Sequence, residues 1–417
     1  MSSSAPKVAI IGGGPAGCTL ARLLIRASIP VTVFEGEASI NVRPQGGTLA
    51  LKSDCGIKAL QEAGVYEEFT KHASYDGESL MVTDKKLKPY LKLKSQPPQD
   101  KHAPHGKPVI DRGQLRQLLV ESLPPDIIRW GCRLRHIDPD SLALHFDHGV
   151  EQGYDLIVGA DGAWSKVRPL LTDVKPDYVG LGGFDLIVAK PEERYPELHK
   201  LVNRGTVFAF SDGKAIFGQQ KGDGSIIVSA YGARDQGWKD TCGYPIDNGA
   251  EVKKAIEKDV ADWAEPLVDL VHAAGEEDII PRSIYTLPVG HRWEHHPGTT
   301  LIGDAAHLMT PYAGKGTDAA LVDAMNLAHT IIENAHTENP LKALDAGVQE
   351  FEEEMFDRAA VVQEHSNTNM DLMFFTPGAP FTTIHKWVRN AFGKSWVVKV
   401  FLPLWFVRLV LRLCFWF

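Results

Sequence analysis

The alternation of apolar and polar positions predicts three short buried strands, each followed by a glycine-rich loop. The apolar runs end at Ile11, Val158 and Ile302, and the loops have the sequences GGGPAG, GADG and GDAAH. Helical spacing of apolar residues follows the first loop to about Ala27 and begins again at Thr317 after the third loop. Ligands of open α/β sheets bind at the carboxyl ends of strands, so three such loops predict one extended ligand.

The first loop has the spacing of a dinucleotide-binding turn. Gly12 allows a tight turn, Gly14 allows a pyrophosphate to approach the backbone, and Gly17 allows helix and strand to pack closely. Glu35 ends the next predicted strand and can accept hydrogen bonds from a ribose diol, which favours FAD or NAD over NADP. The predicted cofactor contacts of this motif are Gly12, Gly14, Pro15, Ala16, Gly17 and Glu35.

The third loop connects a predicted strand, 299–302, to a helix that begins at Thr317. A glycine-rich loop before a helix leaves backbone N–H groups and the positive end of the helix dipole facing a ligand. Asp304, directly before the loop, suits a ligand that also carries hydroxyl groups, such as a ribityl chain. Any strand–loop–helix with glycines would share this pattern, so a generic loop remains an alternative.

A cation at the start of a predicted helix is a further candidate. Arg112 precedes the apolar positions Leu115, Leu118 and Leu119, and its charge opposes the helix dipole there. The residue therefore either faces an anionic ligand or serves the fold.

From Asp177 to Tyr231 the pattern changes to short apolar runs joined by Gly/Asp turns, which predicts an antiparallel sheet in a second domain. The aromatic residues along these runs are Phe184, Phe208, Phe210, Phe217 and Tyr231. They form either the core of that domain or the wall of a pocket for a flat ligand.

Length and charge limit the class of protein. The 417 residues suit two domains, and the net charge of −9 argues against a nucleic-acid surface. Five cysteines without a CxxC pair predict neither a disulfide framework nor a zinc site. The N-terminus has no apolar signal region, so we expect a cytoplasmic protein, and we favour a monomer.

The C-terminal segment, 396–417, is apolar and basic. It has the length of a membrane-spanning helix, but Pro403 interrupts it, and Arg408 and Arg412 lie on one helical face. Three interpretations stay open: a helix lying in a membrane interface, a segment packed on the protein or a partner, and a true membrane span.

Taken together, the three loops with Glu35, Ser165 and Arg168 resemble the three fingerprints of the single-component (group A) FAD-dependent aromatic hydroxylases, the p-hydroxybenzoate hydroxylase-like monooxygenases. The resemblance covers residues 7–375. Within that class, the runs GGTL, DRGQLR and DAAHLM are similar to the tetracycline-degrading branch and its fungal secondary-metabolite relatives.

The resemblance implies an α/β fold. Its parts would be a Rossmann-like FAD-binding domain of the GR2 type, an antiparallel β-sheet substrate domain, a long C-terminal bridging helix and a hydrophobic C-terminal extension. The expected bounds are 1–176 with 281–340 for the FAD-binding domain, 177–280 for the substrate domain, 341–375 for the bridging helix and 376–417 for the extension.

The resemblance also implies site residues. Besides the first motif, FAD would contact Gly47, Arg112, Asp161, Asp304, Gly314, Lys315, Gly316 and Thr317. NADPH, bound transiently as a co-substrate, would meet Arg43 and the motif around Asp161. The substrate would contact Phe208, Phe217, Pro311 and Met373.

Four positions depart from the branch that the sequence resembles. Ala50 stands where an acid is expected, and Asp318 replaces a common Asn. Ile187 and Thr206 lie near the positions of a Gln and an Arg that contact tetracycline. We therefore expect a substrate other than tetracycline, bound less by hydrogen bonds.

The implied chemistry belongs to the cofactor. NADPH would reduce FAD, O2 would add at flavin C4a, and the hydroperoxide would transfer one oxygen to an aromatic or polycyclic secondary metabolite. No catalytic side chain is expected, and His307 is assigned to capping or packing. Lys315 would either stabilise anionic reduced flavin or point to solvent. The alternatives are an alkene epoxidase acting on a prenylated intermediate, a flavin oxidase or reductase on the same fold, and a non-enzymatic flavin-binding protein.

Overall fold

The computed structural model describes residues 5–40, 47–74, 79–93 and 108–392. Within them the chain forms two compact units. The first contains the chain up to Ala73, Ile110–Asp177 and Tyr285–Glu364; the second contains Ser74–Val109, Tyr178–Ile284 and the chain from His365. The assignment of one unit to the cofactor and the other to the substrate stays a prediction.

The regular elements are numbered in chain order. The strands are β1 Val8–Ile11, β2 Val31–Phe34, β3 Thr48–Ala50, β4 Leu80–Thr83, β5 Pro89–Leu93, β6 Val109–Asp111, β7 Ile128–Arg129, β8 Leu134–Ile137, β9 Leu144–Phe146, β10 Gly149–Glu151, β11 Leu156–Gly159, β12 Asp177–Val188, β13 Thr206–Ser211, β14 Lys214–Gln220, β15 Ile226–Ala233, β16 Ile280–Thr286 and β17 Thr299–Leu301. The helices are α1 Pro15–Arg26, α2 Gly56–Glu62, α3 Tyr66–His72, α4 Arg112–Glu121, α5 Pro191–Arg194, α6 Pro196–Val202, α7 Trp238–Thr241, α8 Gly249–Asp259, α9 Glu265–His272, α10 Asp304–His307, α11 Gly316–Asn334, α12 Pro340–Met370 and α13 Ile384–Phe392.

The first unit is built around a parallel sheet with the strand order β17-β11-β1-β2-β7. All four residues of β1 and of β11 are buried, as expected for central strands that are covered on both faces. In register, Ile10 of β1 lies between Val158 of β11 and Val33 of β2. This order brings the strands that precede the three glycine loops next to one another.

The second unit is built around a seven-stranded sheet with the order β16-β12-β15-β14-β13-β4-β5. Strands β12, β15, β14 and β13 pair antiparallel, as the sequence predicted for this region. Alternate residues of these strands pack with side chains of α6 to α9 into one hydrophobic core.

An edge strand of this sheet was not predicted from the sequence. Pro89–Leu93 forms the edge strand β5, with Tyr90 and Leu91 buried. Pro89 is tolerated because it is the first residue of an edge strand.

The segment 396–417 lies outside the described residues, and none of the described helices has the length and apolar character to cross a membrane.

The long C-terminal helix is close to its expected bounds. The expected bounds are 341–375; α12 spans Pro340–Met370 and continues into a π-helical turn at Asp371–Phe375. Its function as a bridge stays a prediction.

Candidate cofactor site

The three glycine loops leave the same edge of the parallel sheet. Strands β17, β11 and β1 are neighbours and run in the same direction. The loop that follows β11 starts with a hydrogen bond from Ala160 N to Ile11 O (2.8 Å), and the loop that follows β17 starts with one from Ile302 N to Gly159 O (2.9 Å). The loops are therefore adjacent, in the position where open α/β sheets bind ligands.

The surroundings of Gly12, Gly14 and Gly17 in the first loop differ, so each position favours glycine for a different reason. Gly12 has φ +109°, and a Cβ there would lie 2.4 Å from Ala160 O. A Cβ at Gly17 would lie 2.1 Å from Gly12 O, because α1 packs directly on the turn. A Cβ at Gly14 would meet no described atom within 4 Å. Only Gly14 is therefore unexplained by packing within the protein, which fits close approach by a ligand.

Glu35 is held rigidly at the end of β2. Its Oε2 accepts a hydrogen bond from Gly13 N at 2.7 Å, and its Oε1 accepts one from Glu37 N at 2.9 Å. Oε1 can still accept a further hydrogen bond, since a carboxylate oxygen has two lone pairs. The carboxylate is thus fixed beside the start of α1 in an orientation that suits a diol.

Arg116 is a residue of this site that sequence reasoning missed. Its side chain is buried, and Nε donates to Gly13 O at 3.1 Å. Nη1 lies 2.6 Å from a Glu37 carboxylate oxygen, and Nη2 lies 3.4 Å from Glu35 Oε2. The signal was available: Arg116 occupies the core-facing side of α4 next to Leu115, where a cation needs buried acidic partners.

The second loop is organised by its own side chains. Asp161 Oδ2 accepts from Lys166 N at 2.7 Å, and Ser165 Oγ accepts from the backbone N–H groups of Val167 and Arg168 at 3.1 and 3.0 Å. Asp161 Oδ1 is buried and has no hydrogen-bond partner among the described residues. Burial raises the pKa of Asp161 above its ordinary value. The orphaned oxygen marks a place for a donor that the chain does not supply.

Arg168 ties the second loop to the third. Its buried guanidinium donates to Ala163 O at 2.8 Å and to Ala305 O at 2.8 Å, with Asp304 O at 3.4 Å. Burial lowers the pKa of Arg168. The sequence placed Arg168 in a fingerprint without giving it a role; the structure shows that it cross-links two cofactor loops through their carbonyl groups.

The third loop begins with a turn whose backbone conformation favours glycine. Gly303 has φ +62°, a conformation that favours glycine, and the side chain of Asp304 is exposed at the first residue of α10. Below it, His307 Nε2 lies 2.5 Å from Asp323 Oδ2, which also accepts from Gly303 N at 3.1 Å. Burial lowers the pKa of His307, but the Asp323 carboxylate outweighs that effect and the pKa is raised overall. His307 therefore packs beneath the loop, one of the two roles assigned to it.

The predicted flavin-contacting residues of the third loop lie at the start of α11. Gly314 has φ +59° and is exposed, Lys315 is the N-cap residue, and Gly316 and Thr317 are the first residues of the helix. The side chain of Asp318 is buried, and its Oδ1 accepts from Lys52 N and Gly56 N at 3.1 and 3.0 Å. The Asp that replaces the common Asn thus joins this loop to the start of α2.

A second glycine turn lies against the start of α4. Gly47 has φ +84°, and its carbonyl oxygen accepts from Arg112 N at 3.1 Å. The side chain of Arg112 is exposed. Nearby in sequence, Thr48 Oγ1 and Gln114 Oε1 are buried without hydrogen-bond partners among the described residues. Two such orphaned oxygens fit a polar ligand in this turn.

The predicted substrate contacts fall in both units. In the second unit, the rings of Phe208 and Phe217 meet edge to face at 4.9 Å, and Phe374 lies 6.4 Å from Phe217. Met373 is buried and 3% exposed. In the first unit, Pro311 is exposed at the start of a 3-10 turn. The predicted NADPH contact, Arg43, lies outside the described residues.

These features fit FAD. A helix N-terminus beside Gly14 suits a pyrophosphate, the Glu35 carboxylate suits a ribose, and Asp304 with the polar turn at Gly47 suits a ribityl chain and a polar ring. The individual contacts stay predictions.

Comparison with known proteins agrees with this geometry. Residues 5–359 match the family model described as FAD binding domain, and the chain belongs to that family. It is 29% identical to monooxygenase penA of Penicillium thymicola, over 89% of this chain and 96% of that protein. It is 26% identical to a chloroplastic zeaxanthin epoxidase of Oryza sativa subsp. japonica, over 90% of this chain and 56% of that protein. A salicylate hydroxylase substrate complex shares the fold, with a TM-score of 0.73, 21% identity and coverage of 97% and 98% of the two chains.

The predicted resemblance to single-component FAD-dependent monooxygenases is therefore confirmed. The chain is an FAD-dependent monooxygenase of mixed α/β fold.

Proposed function

We propose that this enzyme uses NADPH and O2 to insert one oxygen atom into an aromatic or polycyclic secondary metabolite. The observation that carries the proposal is the convergence of three glycine loops on one sheet edge, the second and third of which are cross-linked by Arg168. We place the enzyme in the cytoplasm as a monomer.

Each loop contributes one part of the cofactor site in this proposal. The backbone N–H groups at the start of α1, beside Gly14, hold the pyrophosphate, and Glu35 binds the adenosine ribose. Asp304 and the turn at Gly47 and Arg112 hold the ribityl chain. The start of α11, from Gly314 to Thr317, borders the ring. FAD, when bound, supplies the redox chemistry and the activation of O2.

The substrate is held by aromatic contact in this proposal. Phe208 and Phe217 supply partly exposed rings on one sheet face of the second unit, to which the predicted contact Met373 also belongs. An aromatic ligand ring can pack on such side chains in an offset-stacked or edge-to-face arrangement. The named aromatic hydroxylase with the same fold supports an aromatic substrate. NADPH binds transiently at Arg43 and Asp161.

Epoxidation of an alkene is a second candidate. It is favoured by the similarity to a zeaxanthin epoxidase, which covers 90% of this chain. Both reactions insert one oxygen atom, and they differ in the acceptor, an aromatic carbon or an alkene.

The test begins with a gene-deletion strain, whose accumulated metabolite identifies the substrate. The purified FAD-loaded enzyme is then given that metabolite, NADPH and O2. We expect equal consumption of NADPH and O2 and a product with one additional oxygen, whose NMR spectrum distinguishes a phenol from an epoxide. Conversion of the metabolite without gain of oxygen would refute the proposal and favour a flavin oxidase or reductase.

A further inference from the structure

The two faces of the sheet in the second unit have different chemistry. On strands β12 to β15, residues opposite each other in register point to the same face. One face consists of core side chains, among them Phe184, Leu186 and Val228, which are fully buried. The other face carries a row of directly paired residues that are all partly exposed: Asp185, Ser229, Phe217 and Phe208.

This second face has a polar end and an aromatic end. At the polar end, Asp185 Oδ1 accepts hydrogen bonds from Ser229 Oγ at 2.7 Å and from Tyr231 Oη at 3.1 Å. Asp185 Oδ2 accepts from Arg282 Nε at 3.1 Å. At the aromatic end stand the paired rings of Phe208 and Phe217. Register places Ser229 directly between Asp185 and Phe217, so the two ends adjoin.

An ion pair here is not explained by the fold. The neighbour of Asp185 on the same face of β12 is Ile187. Apolar residues in place of a half-buried ion pair are often as stabilising as the pair itself. The Asp185 side chain is 15% exposed and that of Arg282 is 43% exposed, so both can reach a ligand. Asp185 Oδ2 accepts from Arg282 Nε and can accept another hydrogen bond, and a guanidinium carries five N–H donors.

We propose that the cluster Asp185–Ser229–Tyr231–Arg282 recognises the hydroxyl group of a neutral aromatic substrate. The hydroxyl donates to Asp185 Oδ2 and accepts from the Arg282 guanidinium, while the ring lies against Phe208 and Phe217. A neutral substrate is favoured because the Asp–Arg pair carries no net charge. The inference rests on the proposed function, and it assigns hydrogen-bonding groups to a substrate face where the sequence predicted few.

The test uses two neutral probes of the same ring system, 2-naphthol and naphthalene. Their binding to the FAD-loaded full-length protein is measured by equilibrium dialysis. Since hydrogen bonds to charged groups are the stronger ones, we expect 2-naphthol to bind at least about tenfold more tightly than naphthalene. Failure of 2-naphthol to bind more tightly would overturn the proposal.

Variants assign the preference to the cluster. Asp185→Leu removes the acceptor and should bring 2-naphthol to the affinity of naphthalene, with naphthalene binding unchanged. Asp185→Asn keeps the shape, so it still gives an answer if the Leu variant misfolds, and it should lose most of the preference. The matched control is Asp269→Leu, on the exposed side of α9 in the same unit, and it should keep the preference. Retention of the preference in both Asp185 variants would contradict the assignment.

The same samples separate this inference from the proposed function. FAD content and the rate of flavin reduction by NADPH are recorded for every variant. Loss of the hydroxyl preference with unchanged FAD content supports the recognition role. A wild-type protein that shows the preference but gives no oxygenated product with its own metabolite would refute only the proposed function.

Discussion

The loop edge of the first unit and the mixed polar–aromatic face of the second unit are built from different materials. At the loop edge, the arrangement depends on the backbone. Gly12 has a positive φ, α1 presents its N-terminus, and Arg168 donates hydrogen bonds to backbone carbonyl groups. On the sheet face, the contacts are made by side chains on regular strands, such as the hydrogen bond accepted by Asp185 and the ring contact of Phe217. The first region therefore tolerates little change in sequence, whereas the second can change its specificity while the strands remain the same.

The largest effect is expected from Gly12→Ala. The new Cβ would have to lie 2.4 Å from Ala160 O in a backbone conformation with φ +109°. Backbone strain and overpacking each cost about 1–3 kcal/mol, so the free energy of unfolding should fall by about 2–6 kcal/mol. Urea denaturation of the apoprotein measures it. A variant as stable as the wild type would show that the turn is not rigid.

Gly14→Ala is the matched control and should act on the ligand alone. Because no described atom lies within 4 Å of its Cβ, we expect an unchanged melting temperature of the apoprotein. FAD affinity should fall at least about tenfold, equivalent to ~1.4 kcal/mol, because the methyl group blocks the approach of the pyrophosphate. Fluorescence titration with FAD measures the loss. Unaltered affinity would remove Gly14 from the cofactor site.

Arg168→Met tests the link between the second and third loops. It leaves the carbonyl groups of Ala163 and Ala305 without their buried donor, at a cost of about 1–3 kcal/mol each. We expect both lower stability of the apoprotein and weaker FAD binding. Arg168→Lys, which keeps the charge but not the fork of donors, should recover only part of each. Full recovery by Lys would mean that charge, not geometry, joins the loops.

Asp318→Asn should stabilise the protein at neutral pH. Burial raises the pKa of Asp318, so this group's contribution to stability is complete below its unfolded pKa and is lost as pH rises through its folded pKa. Asn keeps an oxygen acceptor for Lys52 N and Gly56 N without the buried charge. We expect a higher free energy of unfolding for the variant at neutral pH and no gain in acid. An equal gain at both pH values would indicate a cause other than ionisation.

The smallest effect is expected from Lys315→Gln. A cation at the N-cap of α11, next to the reduced flavin, would stabilise negative charge there. Loss of about 1 kcal/mol should lower the two-electron flavin potential by roughly 20–30 mV. Spectroelectrochemistry of the FAD-loaded variant gives the value. An unchanged potential would assign Lys315 to solvent or to the fold.

The same contrast explains what the sequence could predict. The glycine loops were recognisable because each is a short local motif at a strand end, and the parallel order of β17, β11 and β1 brought them together as expected. Arg116 and Arg168 acquired their roles only in the structure, because their acceptors are 103 and 137 residues away in sequence. No local pattern encodes such a distance.

The mixed polar–aromatic face of the second unit was less accessible to sequence reasoning. The comparison of single positions, Ile187 and Thr206, predicted few hydrogen bonds. Asp185 lies two residues before Ile187 and therefore on the same face, and its partner Arg282 comes 97 residues later. The polar side chains of this face therefore come from positions next to Ile187 on the sheet. The pairing of the strands shows these positions, whereas a comparison limited to Ile187 and Thr206 does not.

Incorporation of isotopically labelled O2 tests the central claim most directly. The FAD-loaded enzyme is incubated with NADPH, labelled O2 and the metabolite that accumulates in the deletion strain. The molecular mass of the product is then measured by mass spectrometry. We expect one labelled oxygen atom in the product for each NADPH oxidised. A product whose additional oxygen comes from water, or NADPH oxidation that yields hydrogen peroxide while the metabolite is unchanged, would contradict it.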